Sequence, residues 1–119
     1  MSIRTFRVTV RGVFDGLTDD QRAALLADAA AHDVLRAAFT PEGSLTYDIA
    51  ARPAFVFRFS DTGEEEEDIL AATERAEAAA RTWLTERGYG FKNLRSSAED
   101  LSQAPLSKRQ RRAARAADA

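Results

Sequence analysis

The chain has 119 residues, 45% hydrophobic and 30% charged, with a formal net charge of −2, a length that makes one domain able to bury a single core. It holds no cysteine, which excludes disulfides, thiolate catalysis, cysteine-ligated zinc and iron–sulfur clusters. The N-terminus lacks the apolar core of a signal peptide and no stretch approaches the roughly 20 apolar residues of a membrane span, so a cytoplasmic protein without membrane attachment is expected.

Arg4 to Phe14 is predicted to be the first strand, because Phe6, Val8 and Val10 alternate with Arg7, Thr9 and Arg11 and successive strand side chains point to opposite faces. Gly12 breaks the pattern and Asp15-Gly16 forms a turn. Thr18 and Gln21 have capping-box spacing, with Asp19 and Asp20 in the first turn, so a helix is predicted from there to about His32. It lays Leu25, Leu26 and Ala29 on the sheet.

Val34 to Thr40 reads as a second strand, Pro41-Glu42-Gly43-Ser44 as a turn, and Leu45 to Ile49 as a third strand closing a hairpin. Beyond Pro53, Phe55, Phe57 and Phe59 alternate with Val56 and Arg58 in a fourth strand. A second helix is predicted from about Glu64 to Arg87, with Ile69, Thr73, Ala76, Ala80, Trp83 and Leu84 on one stripe and Gly88 as its C′ residue. Tyr89 to Arg95 supplies a last strand. The expected architecture is an α+β, ferredoxin-like two-layer sandwich in the order β-α-β-β-β-α-β, with both helices on one face of a mainly antiparallel sheet.

Charge divides the chain. Residues 1–95, the expected sandwich domain, hold 12 basic and 16 acidic side chains, whereas residues 96–119 hold five basic and three acidic ones. Ser96 to Leu101 has the spacing to begin a short helix, and after Pro105 a flexible basic tail is expected, because no large apolar residue follows Leu106.

Three sets of residues are candidates for function. Arg7, Arg11 and Arg58, with Arg36 and Lys92, are expected on the sheet face away from the helices, where they can bind an anion or an acidic partner. A wet face of an antiparallel sheet also carries such residues for solubility alone. No aromatic is expected there, which counts against base stacking. In the tail, Lys108, Arg109, Arg111 and Arg112 can contact nucleic acid or the ribosome, or fold onto the opposite run Glu64–Asp68. His32 is the one histidine. With Tyr47 it would serve a cofactor-independent enzyme acting on a small molecule in a cavity of the sandwich. No metal site and no cofactor is expected, since phosphate loops, dinucleotide fingerprints, nucleophile triads and calcium-loop spacing are all missing.

Arg7-Val8-Thr9-Val10-Arg11-Gly12-Val13-Phe14, leading into a helix, resembles the first strand and loop of acylphosphatases, which implies their ferredoxin-like fold. That family's arginine at the loop-to-helix junction and asparagine on a following strand have no counterpart here, where Leu17 and Thr18 precede the helix and Leu45–Ile49 holds no Asn. The resemblance therefore implies the fold without the activity. Over almost its whole length the chain is similar to a family of short actinobacterial proteins of unknown function, through Val10–Leu17, Ala38–Gly43 and Ala104–Arg112. That likeness implies an actinobacterial source and transfers no ligand or catalytic residue.

The function expected from these readings is a small cytosolic binding or interaction module using the polar sheet face. A homodimer joined sheet to sheet is one form of it, although arginines would then face arginines and need bridging acids such as Asp48.

Overall fold

The computed structural model of the chain describes residues 3–103. Strand β1 (Arg4–Phe14) is followed by helix α1 (Asp19–Ala27), two 3₁₀ turns (Ala29–His32 and Val34–Arg36), strands β2 (Ser44–Tyr47) and β3 (Ala54–Gly63), helix α2 (Asp68–Glu86), strand β4 (Phe91–Asp100) and a last 3₁₀ turn (Leu101–Gln103). The four strands form one antiparallel sheet in the spatial order β2-β3-β1-β4, and the two helices pack on it.

The alternation in β1 and β3 sorts residues as expected. Phe6, Val8, Val10 and Phe14 of β1 and Phe55, Phe57 and Phe59 of β3 are buried, while Arg7 and Arg11 are exposed. Burying each phenylalanine contributes roughly 1.5–3 kcal/mol. Helix α2 meets these rings through Ala72, Ala76, Ala80 and Leu84. Small side chains on this stripe bring its backbone close, and the rings fill the remaining space. Phe57 stands edge-on to the half-buried Trp83, with centroids 5.7 Å apart. Gly12 does not interrupt β1. It pairs with Phe55 across the ladder, and a Cβ there would lie 2.6 Å from the end of that ring, so the bare backbone is the seat of the aromatic.

At the start of α1, Thr18 accepts from the Gln21 N–H at 3.1 Å and Gln21 accepts from the Thr18 N–H at 3.0 Å, closing the capping box. The α-helix stops at Ala27 and tightens into the first 3₁₀ turn, so His32 sits on that turn. At the other end of α2, Gly88 takes φ +70° and Tyr89 N–H returns to Leu84 O at 3.0 Å, as a C′ glycine does.

The expected seven-element order β-α-β-β-β-α-β is not the one observed, which is β-α-β-β-α-β: Val34–Thr40 forms no strand and contributes a single parallel bridge from Thr40 to Phe59. Asp33 accepts the Leu35 N–H at 2.8 Å, and the Arg36 and Ala37 N–H groups bond Asp33 O and Val34 O at 2.8 and 3.0 Å. A side chain that captures nearby backbone in this way competes with a ladder. Arg36 consequently lies on the second 3₁₀ turn and not on the sheet.

Two boundaries also move. Strand β3 continues to Gly63 because β1 offers partners as far as Arg4, and α2 begins only at Asp68. The short helix expected from Ser96 is instead the second half of β4, paired with Phe6–Val10. Ser96 Oγ donates to Glu77 Oε2 at 2.9 Å, tying β4 to α2. The tail candidates Lys108, Arg109, Arg111 and Arg112 lie outside the described residues.

Candidate functional site

Every second residue of β1 and β3 points away from the helices, and the register puts Arg7 beside Ser60, Thr9 beside Arg58 and Arg11 beside Val56. Arg7, Arg11 and Arg58 thus share the outer face, as expected. Lys92 shares it too, opposite Val13, with its ammonium 3.8 Å from the Asp15 carboxylate. Arg7 lies over the ring of Phe39, 4.9 Å from its centre. That ring is an aromatic on the outer face that a strand at Val34–Thr40 would not have placed there.

Arg11 and Arg58 line a groove of about 640 Å³ at the β2 side of this face. Arg58 is half-buried and donates to Thr46 Oγ1 at 2.7 Å, which aims its guanidinium across β3 toward β2. The loop between β2 and β3 adds Arg52 and Asp48 to the lining, its turn closed by Arg52 N–H on Asp48 O at 3.0 Å. The 3₁₀ segment contributes Asp33 and Val34, and the end of α1 contributes Leu26. Leu26 and Val34 are exposed, at 45% and 65%, so the groove has an apolar rim beside a cationic floor. Three arginines against two carboxylates leave it net positive. None of Arg11, Arg52 and Arg58 has an ion-pair partner among the described residues.

Residues 1–112 match DUF6204, a family of unknown function. The chain belongs to that family. No curated protein and no solved structure matches it. Membership of DUF6204 brings no activity with it and ties the chain neither to acylphosphatases nor to a particular taxon.

In this DUF6204 chain His32 and Tyr47 do come together, with rings stacked 5.1 Å apart at 28°. His32 Nδ1 lies 2.9 Å from Leu45 O. A carbonyl only accepts, so Nδ1 carries the proton in this contact. The neighbouring Asp33 points to its own backbone and not to the ring. Tyr47 is buried, and its hydroxyl donates to Leu25 O at 2.6 Å. Burial, and then the negative charge of Asp28, push the phenol up to about 12, so near neutrality Tyr47 is an intact donor with its proton already engaged. Tyr47 lines the groove. Chemically Tyr47 can wall that groove, with His32 stacked against its ring.

Among the described residues no cluster of histidine and carboxylate side chains could hold a metal ion, and no helix is long and apolar enough to cross a membrane. Arg52, Val34, Leu26 and Phe39 were not anticipated as parts of one surface. The signal for Arg52 is its place in a strand-to-strand loop, where binding groups concentrate. Val34 and Phe39 depend on how residues 28–40 curl around the β2 edge, which no periodicity encodes, and Leu26, expected to pack on the sheet, is exposed at the end of α1.

Proposed function

We propose that this protein is a small binding module whose outer sheet face takes an anionic ligand in the groove framed by Arg11, Arg52 and Arg58. The observation that carries the reading is three arginines without ionic partners among the described residues around one groove of about 640 Å³. That volume lies in the usual range for small-molecule sites, which combine apolar walls with few polar groups. A ligand with one carboxylate, sulfonate or phosphate and a compact apolar body fits the lining. Its acid would meet the guanidiniums, which present paired donors to such groups, and its body would cover Val34, Leu26 and Val56.

The test uses the fluorescent anion 1-anilinonaphthalene-8-sulfonate and its uncharged analogue N-phenyl-1-naphthylamine, titrated into folded protein. The sulfonate should bind one to one and weaken with salt. Arg58→Ala and Arg11→Ala should each weaken it by about tenfold, near 1.4 kcal/mol, while leaving the uncharged dye unchanged. Equal binding of both dyes, or sulfonate binding indifferent to both substitutions, would overturn the proposal.

A further inference from the structure

The sheet has two edges of very different character. Strand β2 has four residues and is screened, since His32 on the first 3₁₀ turn holds the Leu45 carbonyl. Strand β4 has ten residues and ends the sheet order on the other side. Among the described residues no backbone hydrogen bond reaches its outer edge from another element. A long free row of N–H and C=O groups is a template for another strand.

The charges along β4 say which strand. Past the bulge at Asn93, which has φ 56° and coincides with the register shift opposite Arg11 and Val13, Arg95, Ser97 and Glu99 share the outer face. Arg95 stands directly opposite Arg11 of β1, and Glu99 opposite Arg7. Like charges across a ladder repel, and neither Arg95 nor Glu99 is in an ion pair among the described residues. Antiparallel self-pairing about a two-fold axis must keep each side chain on its own face, which restricts the allowed registers. A two-fold through Arg95 or through Glu99 opposes identical charges. A two-fold through Ser97 sets Arg95 against the second copy's Glu99, twice, and inserts a carboxylate beside the Arg11–Arg95 contact.

We propose that β4 is a homodimerisation edge, pairing antiparallel with β4 of a second copy about a two-fold axis through Ser97. The two sheets become one sheet of eight strands, with helices on one face and both arginine grooves on the other. This arrangement does not depend on the ligand assigned to the groove. It also avoids stacking sheet on sheet, in which Arg7, Arg11 and Arg58 would confront their own copies across a face interrupted by Phe39.

Sedimentation equilibrium of the full chain tests it through charge reversal. The native protein should approach twice its 13.1 kDa mass as concentration rises. Arg95→Glu and Glu99→Arg should each weaken the dimer by about tenfold or more, and the double exchange should restore it, with circular dichroism checking the fold of each variant. Because the chain has no cysteine, Ser97→Cys supplies an independent readout. Residues on the axis lie about 4.5–5.5 Å apart between Cα atoms, within disulfide reach, so mild oxidation should cross-link Ser97→Cys and leave Lys92→Cys without a covalent link. A chain that stays at one protomer's mass at millimolar concentration would overturn the proposal. So would a double exchange no tighter than the single ones, or equal cross-linking at both positions.

Discussion

The phenol of Tyr47 reaches across from β2 to the last turn of α1, where carbonyls lack donors from a following turn, and satisfies Leu25 O at 2.6 Å. Tyr47→Phe keeps the ring against His32 and Phe14 but leaves that carbonyl without its partner, and should cost about 1–2 kcal/mol of stability in urea unfolding. The same contact has a pH signature. The folded phenol titrates at about 12 against an ordinary 10.0, so the unfolded chain loses that proton first. Stability is then undiminished below pH 10 and falls as pH rises through the interval to about 12. Ultraviolet titration should resolve one late phenolate that Tyr47→Phe removes. Period-two spacing could nominate Tyr47 as a residue near the helix layer, and did. It could not say which backbone oxygen its hydroxyl would meet, because that depends on where α1 stops.

Asp68 organises the junction between β3 and α2. Its carboxylate accepts the Glu64 and Glu65 N–H groups, both at 2.9 Å, and these two bonds, that from Glu65 first, hold its carboxyl below the usual range. The acidic run Glu64–Glu67 is therefore a turn closed by Asp68, not the first turn of the helix. Asp68→Ala should lower Tm by roughly 2–6 °C and speed amide exchange at Glu64 and Glu65, with the core of α2 unaffected. Where helix propensity and charge run together, as they do from Glu64 onward, the pattern predicts a helix and misplaces its start. Segments with a strict period were legible: the span of β1 was read, though not its continuity through Gly12, as were the capping box and the Gly88 stop. Val34–Thr40 was misread because its backbone is decided by the Asp33 side-chain bond and the turn bonds that follow it. With it went the outer-face position of Phe39 and the place of Val34 on the groove rim, although Arg7, Arg11 and Arg58 were correctly assigned to that face.

Four carboxylates, Asp61 on β3, Asp68 and Glu77 on α2 and Asp100 on β4, share one bias. In Asp61 and Asp100 burial pushes the carboxyl up but is outweighed, by Arg75 and the Thr62 N–H in the first and by Ser102 and Arg4 in the second. Glu77 is held low by Ser96 and then Arg81, and Asp68 by its turn. All four bind protons less readily folded than unfolded, so their contribution is intact above the ordinary carboxylate range of about 4 and is lost as pH falls through and below it. The urea midpoint should hold between pH 7 and about 5 and drop steeply below about pH 4, and Asp100→Asn should flatten part of that drop.

The screening of β2 by His32 has a reach beyond the edge it covers. A sheet open on both sides can add copies without end and grow into a fibre, because every newcomer presents a fresh margin for the next. Plugged on one side, the same sheet exhausts its valence after a single encounter. In the β4 pairing proposed above, the imidazole on that short turn covers part of the margin at which a third copy would add.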